Sequence, residues 1–298
     1  MTREGVFEGQ RGRLTALAYR MVGSWTDAED VVQDVAVEWW AGAGDVANPG
    51  GWLTKTTVRR AIDALRRRQR ESGYVGPWLP EPVVVDRQPA AADLVEARET
   101  LSTAFLLIAE ALTPPQRAVV VLRSLGYRHD EIAGFLDITP AAARQHHTRA
   151  TRTLDRQGPP TGTGTAGRDG DDAVTRSLLG AFLSAARDGD LEALVALLHD
   201  DVVAYNDGGG RTRAALNPLF GPAKVARFVV GVSGTYARRA VRLVTVNGTP
   251  GAIVTLGGTA HVISLQVRDG RIYRIFDVSN PDKHGTVPGP VAPDPAAG

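Results

Sequence analysis

Apolar residues recur at three- and four-residue spacing through the first part of the chain. Leu14, Leu17, Ala18, Met21 and Val22 form one run, which Gly23-Ser24 breaks. Val31, Val32, Val35 and Trp39 form a second stripe, with Thr26 or Asp27 as its cap. Ala41–Gly51 reads as a glycine-rich loop. A third helix, from about Trp52 to Arg70, carries the seam Leu53, Val58, Ile62 and Leu65 on an otherwise basic surface. Proline punctuates residues 73–92, and helical periodicity resumes from Asp93 to Leu154. Within it, Thr113-Pro114-Pro115-Gln116 combines an N-cap, an N1 proline and a capping-box glutamine. Gly158–Asp172 is a hydrophilic linker. Beyond it the period changes from helical to alternating. Two amphipathic helices, about 173–187 and 190–198, precede strand-like runs at Val202–Asn206, Arg238–Val246, Gly251–Leu256, His261–Arg268 and Arg271–Val278. Asp269-Gly270 between alternating runs predicts a hairpin.

The chain therefore reads as multidomain: two all-α helical domains followed by an α+β domain with a mostly antiparallel sheet. The expected divisions are 1–72, a linker at 73–100, 101–157, a flexible linker at 158–172, 173–284, and a disordered tail at 285–298.

The 298 residues carry a net charge of only +1, but the charge is unevenly placed. Arg59, Arg60, Arg66, Arg67, Arg68 and Arg70 face a single acid, Asp63, and Arg144–Arg156 is similarly basic, while acids gather in Asp27–Asp34 and Asp188–Asp207. Local basic patches are what bind phosphate, so the near-neutral total conceals two candidate nucleic-acid footprints. Cysteine is absent, which excludes disulfides, zinc-thiolate sites and thiol catalysis. No run approaches the length of a membrane span and no signal-peptide core opens the chain, so a cytoplasmic protein without membrane contact is expected.

Residues 128–154 have the layout of a helix-turn-helix. Ile132, Ala133, Leu136 and Ile138 pack a short helix and its turn; Thr139-Pro140 caps a second helix with Ala143, Ala150 and Leu154 inward. Its other face carries Ala141, Arg144, Gln145, His146, Arg149 and Arg152. Arginine suits guanine O6/N7 and glutamine suits adenine in the major groove. Asp137 occupies the turn position where glycine is commoner, and aspartate tolerates the left-handed conformation.

With Gly23-Ser24, Asp27-Ala28-Glu29-Asp30-Val31-Val32-Gln33-Asp34, Trp52-Leu53 and the arginine-rich helix, the first module resembles region 2 of the extracytoplasmic-function sigma factors; Thr113–Leu154 resembles their region 4. The resemblance covers about residues 7–156. It implies that Asp27, Glu29, Asp30, Val31, Gln33 and Asp34 dock on the β′ clamp helices of core RNA polymerase. It also implies that Asn48, Arg59, Arg60, Arg66 and Arg67 open and read the −10 element. Thr139, Ala141, Arg144, Gln145, His146 and Arg149 would read the −35 element, with region 4 also touching the β flap. A basic channel with room for unstacked bases agrees with this chemistry. Trp39, Trp40 and Trp52 are either stacking platforms or core, core being favoured for Trp39 and Trp52.

About 125 further residues follow, and FLSAARDGDLEALVALLHDDV resembles the start of a SnoaL-like domain, a cone with a curved sheet wrapped by helices. A sigma-J-like subgroup carries such a fusion together with three short motifs, all present here. They are Trp78-Leu79-Pro80-Glu81-Pro82, then Asp207-Gly208-Gly209-Gly210-Arg211, and Asn280-Pro281-Asp282-Lys283. The resemblance implies that these segments form an in-cis regulatory contact, with Pro77, Pro80 and Pro82 pre-ordering a strap and Trp78 as its anchor. Tyr205, Asn206, Asp207, His261 and Asp277 are expected to point into the cone. There they would serve a small-molecule ligand or, if a buried carboxylate acts as a base, a proton abstraction. Alternatively His261 is a satisfied strand residue and Asp277 a surface or turn group.

The reading adopted is a non-enzymatic sigma factor, monomeric when free, that needs no cofactor or metal and whose partners are core polymerase and promoter DNA. The alternatives are a helix-turn-helix regulator working without polymerase, and a ligand-transforming enzyme with a DNA-binding N-terminal half.

Overall fold

A computed structural model of the chain describes residues 2–42, 46–70, 73–85, 103–156, 168–235 and 239–288. Residues 43–45 of the glycine-rich loop, 86–100 of the first linker, 158–167 of the second and 289–298 of the expected disordered tail lie outside the described residues. The described residues divide into two compact units: one holds 2–42, 46–70, 73 and 105–156, the other 74–85, 103–104, 168–235 and 239–288.

In the N-terminal unit, α1 (Arg3–Val22), α2 (Trp25–Gly42) and α3 (Pro49–Arg70) form a three-helix bundle. All of the expected stripe residues are buried, from Leu14 and Met21 in α1 through Val35 in α2 to Leu53 and Leu65 in α3. Gly23 ends α1 with φ 72°, a left-handed C-cap that suits a residue without Cβ. The second cap differs from expectation. Ser24 holds it, accepting the Asp27 N–H at 3.1 Å, because a capping oxygen must precede the first free N–H groups by two or three residues. The third helix likewise starts earlier than Trp52: Asn48 caps it and Pro49 takes the first position, where its missing N–H costs nothing.

The unit continues through α4 (Thr103–Ala109), whose first two residues count with the other unit, α5 (Pro114–Ser124), α6 (His129–Leu136) and α7 (Pro140–Arg156). The Thr113 N–H donates to Gln116 Oε1 at 3.1 Å, as the capping-box pattern predicts. Asp137 adopts φ 54°, ψ 43° between α6 and α7, and Thr139 Oγ1 accepts the Ala142 N–H at 3.1 Å.

The C-terminal unit has one sheet in the order β1-β4-β5-β6-β7-β2-β3. Its strands are β1 (Val84–Val85), β2 (Leu198–Asp207), β3 (Leu219–Phe220), β4 (Arg239–Val246), β5 (Thr249–Leu256), β6 (Thr259–Arg268) and β7 (Arg271–Val278). All neighbours are antiparallel except β2 and β7, which run parallel. Helices α8 (Arg168–Asp188), α9 (Leu191–Leu197) and α10 (Pro222–Thr235) pack on one face. Leu179, Phe182, Leu194 and Val225 meet Val202, Ala204, Ala252, Val254, Leu265 and Ile275 there. Helix α10 had no counterpart among the expected elements.

The β6–β7 turn at Asp269-Gly270 has φ 50° and 70°, as the hairpin expectation requires. Asn247-Gly248 (48° and 77°) and Gly257-Gly258 (56° and 90°) use the same chemistry at the two preceding turns. Strand β1 comes from the proline-punctuated stretch: Val84 pairs with Val246 and Val85 with Thr245 at the sheet edge. By its contacts, the described part of the expected connector is thus part of the C-terminal unit.

Candidate functional site

On α2 the acidic pattern splits by helical phase. Glu29, Asp30, Gln33 and Asp34 are exposed and Asp27 half-buried, and the face continues into Val37 and Trp40. Val31 does not join them. It is 4% exposed and packs in the bundle core, because a residue two positions from Glu29 lies on the opposite side of a 3.6-residue turn. Trp39 is buried against Trp52 with ring centroids 5.4 Å apart, and its Nε1–H donates to the Arg3 carbonyl. Trp40 alone of the three is largely open.

Arg66 and Arg67 project from α3 into solvent. Arg59 Nη2 lies 2.7 Å from Glu38 Oε2, and Arg60 pairs with the other oxygen of the same carboxylate. Asn48 is exposed, but its amide oxygen caps α3 through the Gly51 N–H at 3.0 Å. Arg68, not among the expected DNA contacts, turns inward: it donates to the Val22 carbonyl and holds Glu110 bidentately at 2.9 and 2.7 Å.

In the helix-turn-helix, Ala141, Arg144, Gln145 and Arg149 are exposed and His146 half-buried, on the face opposite Ala143 and Ala150. Thr139 serves as the cap. The sequence reasoning missed His147, whose Nδ1 lies 3.3 Å from His129 Nε2 and ties α6 to α7. Burial first, then the neighbouring cations Arg123 and Arg144, holds His129 below the usual histidine range; burial and His129 do the same to His147.

Inside the C-terminal unit the three short motifs converge on one carboxylate. Asp207, with its side chain fully buried, accepts from Lys283 Nζ at 2.7 Å, the Leu79 N–H at 2.8 Å, Tyr74 Oη at 2.5 Å and the Gly209 N–H at 3.1 Å. Lys283 also donates to the Leu79 carbonyl, and its ammonium sits 4.1 Å from the Trp78 ring centre and 4.7 Å from that of Tyr74. Burial first, then the bond to Asp207, pushes the Tyr74 phenol well above its usual range, so it remains a donor. Asn280 donates to Tyr74 Oη at 3.0 Å and accepts the Asp282 N–H, while Asp282 pairs with Arg211 at 2.9 Å on the surface. Gly209 has φ 55°, and a Cβ there would stand 2.2 Å from Asn280 Nδ2. Gly208 is equally confined by Thr212, and Gly210 lies against Val75.

Trp78, expected as the anchor of the strap, packs its ring over the Lys283 ammonium. Leu79 is fully buried, with Pro80 and Glu81 beside it, while Trp78 is half-exposed and covers Lys283. Further along, the Val83 N–H donates to Asn247 Oδ1 at 2.9 Å, and Thr286 Oγ1 bridges Pro82 and Val84. Asn247 also donates to Thr103. None of Asn247, Thr286 and Thr103 was singled out beforehand. The Asn-Gly turn was the one sequence signal pointing at Asn247.

The group expected inside the cone divides by strand alternation. Asn206 shares a face with core residue Ala204, whereas Tyr205 and Asp207 point to the opposite, strap-bearing face. His261 Nδ1 lies 3.1 Å from both oxygens of Asp277, so His261 is the satisfied strand residue of the alternative reading, while Asp277 is a strand residue rather than a surface or turn group. Burial pulls His261 down, but the charge and hydrogen bond of Asp277 outweigh it and leave it raised. Among the described residues no cluster of three His, Asp or Glu could hold a metal, and no helix is long and apolar enough to cross a membrane.

Two family profiles match the chain: Sigma-70 region 2 over residues 6–71 and Sigma-70 region 4 over residues 102–154. The ECF RNA polymerase sigma factor SigJ of Mycobacterium tuberculosis is 35% identical over 294 residues, spanning 93% of this chain and 91% of that protein. SigG from the same species is 28% identical over 219 residues, 66% of this chain and 59% of that protein. The crystal structure of M. tuberculosis SigJ superimposes with a TM-score of 0.77 at 30% identity, covering 96% of this chain and 99% of that one.

Proposed function

We propose, from the premise that this chain belongs to the extracytoplasmic-function RNA polymerase sigma factors, a division of labour among its parts. The exposed face of α2 (Asp27, Glu29, Asp30, Gln33 and Asp34) docks on the β′ clamp helices of core polymerase. Asn48, Arg59, Arg60, Arg66 and Arg67 read the −10 element with the preceding loop. Helix α7 presents Arg144, Gln145, His146 and Arg149 to the −35 element, and region 4 also meets the β flap. Arg59 and Arg60 then exchange Glu38 for phosphate, an exchange between two charge-assisted partners.

The C-terminal unit regulates this activity in cis through the strap at residues 74–85. What carries this reading is the Asp207 carboxylate, which gathers Tyr74, Leu79 and Lys283 at one buried point. The strap leads directly from region 2 toward region 4, so seating or releasing it changes the length of chain free to join the two promoter readers. The test is run-off transcription with core polymerase, comparing wild type with Asp207→Asn and Trp78→Ala in the full chain. Wild type is expected to initiate when supplied as the sole sigma factor. The two variants should share one altered promoter preference or activity. Variants indistinguishable from wild type at every promoter would remove the regulatory role and leave the sigma function standing.

A further inference from the structure

The helix-turn-helix holds a contact that promoter reading, as assigned above, does not use. His129 is the first residue of α6, and His147 lies near the middle of α7. His129 Nε2 and His147 Nδ1 stand 3.3 Å apart, with the ring centres 5.2 Å apart and the planes at 54°. A hydrogen bond between two imidazoles needs one N–H and one bare nitrogen at the contact. One added proton keeps that bond, as an imidazolium donating to a neutral ring, and strengthens it by charge assistance. A second proton would set N–H against N–H, so the pair has room for one. In the free protein the surrounding charges oppose even that one. Arg123 of α5 and Arg144 of α7 repel a cation at His129, while Asp130 of α6 favours it. Asp130 is itself held by Arg128 at 2.9 Å. From α3, which also packs on α6, Lys55 is engaged with Asp137 at the far end of that helix. Both rings are half-buried and held below the usual histidine range, so the pair is neutral at pH 7.

We infer that His129 and His147 are positioning residues that fix α7 against α6 by taking up one proton when region 4 engages the −35 duplex. In helix-turn-helix docking the first helix crosses the phosphate backbone and the second enters the major groove. His129 opens the first of these helices, and Arg144, which acts on it, lies exposed on the reading face of the second. Phosphates arriving there offset the repelling guanidinium and bring negative charge beside the pair. An opposite charge favours the protonated form, so the pair's affinity for a proton rises on binding. The charge-assisted link then holds the recognition helix more firmly in the complex than in the free protein. By linkage, duplex affinity rises as pH falls through the interval between the free and the bound pKa, and is flat outside it. One proton sets the limit, about tenfold per pH unit. The inference rests on α7 reading the −35 element, with Arg144 among its contacts.

The test titrates holoenzyme, assembled from core polymerase and the full chain, with a promoter duplex between about pH 6 and 8. Ionic strength is held constant, because salt alone shifts such affinities. Core polymerase contributes equally to every sample, so each variant is compared with wild type at the same pH. Wild type is expected to bind about three- to tenfold more tightly at the acid end. His147→Gln keeps a polar link to His129 but cannot accept the proton, so it should match wild type near the alkaline end and lose the acid gain. His129→Gln should do the same. Calorimetry in two buffers of unlike ionisation enthalpy reads the uptake itself, which should drop in both variants. A contact that is only structural predicts instead that each variant shifts affinity by one factor at every pH, and that outcome would overturn the inference. So would an acid gain retained in both variants. Loss of the gain in His146→Gln alone would also overturn it, since His146 is a neighbouring imidazole on the same helix. Unchanged affinity in Arg144→Gln would remove the assignment of α7 as a reader, and the inference with it.

Discussion

Replacing Asp207 by alanine should release the strap while leaving the sheet beneath it folded. The carboxylate is fully buried and accepts four hydrogen bonds, one from the ammonium of Lys283, itself about one-tenth exposed. Removing one partner of a buried ion pair costs roughly 3–5 kcal/mol, because the remaining charge is left without compensation. The Leu79 N–H and Tyr74 hydroxyl also lose their acceptor, at about 1–3 kcal/mol each in isolation. These losses share one group and do not add, so about 4 kcal/mol is the working figure, near a thousandfold in the strap's opening equilibrium. Hydrogen exchange reads this directly. Amides at residues 79–85 should exchange a hundred- to a thousandfold faster in Asp207→Ala, while those of β5 and β6 keep their protection. The combination Asp207→Asn with Lys283→Met, which removes both charges at similar volume, should restore much of the protection. Unchanged exchange at Leu79 in Asp207→Ala would refute the reasoning. So would a double variant no better than the single, since the loss would then not come from an unpaired charge.

Two further outcomes test other parts of the C-terminal unit. Because its folded pKa is raised above the usual 6.5, His261 contributes stability that is full below 6.5 and fades as pH rises through the folded value. His261→Gln should therefore cost more at pH 5.5 than at 8.5 in urea unfolding; a cost that grows with pH would reverse the assignment. Gly209→Ala should lower the melting temperature more than Gly258→Ala. Both glycines have positive φ, but only the first would drive a Cβ into Asn280, while nothing lies within 4 Å of the second. Equal losses would mean that backbone strain alone is being measured.

The three N-terminal helices, the helix-turn-helix and five of the strands were legible because each is written as a local period. Every stripe residue named in α1–α3 is buried, and Asp137 takes the left-handed turn that its residue type allows. The errors have equally local causes. Val31 belongs to an acidic motif by sequence but to the core by helical phase. Ser24 caps α2 because the first free N–H groups, rather than the nearest polar residue, decide where a cap must stand. Two of the three hairpin dipeptides were visible as Asn247-Gly248 and Gly257-Gly258, and reading them would have placed the β4–β5–β6 register and drawn attention to Asn247.

Residue order alone determined most of the helical segments, where the exposed arginine and glutamine residues lie along α7, and that Tyr74, Trp78 and Leu79 are out of place in a solvated connector. The resemblance to the sigma-J-like subgroup marked the three motifs as belonging together. Only the tertiary structure decided that they meet at Asp207, that Leu79 rather than Trp78 is buried, and that Asp137 and Lys55 face each other across the bundle. The physical reason is sequence distance. Asp207 stands 128 residues from Leu79 and 76 from Lys283, and no periodicity or turn chemistry spans such intervals. A buried carboxylate selects its partners by where the sheet and strap place donors around it, and that placement exists only once the chain has folded.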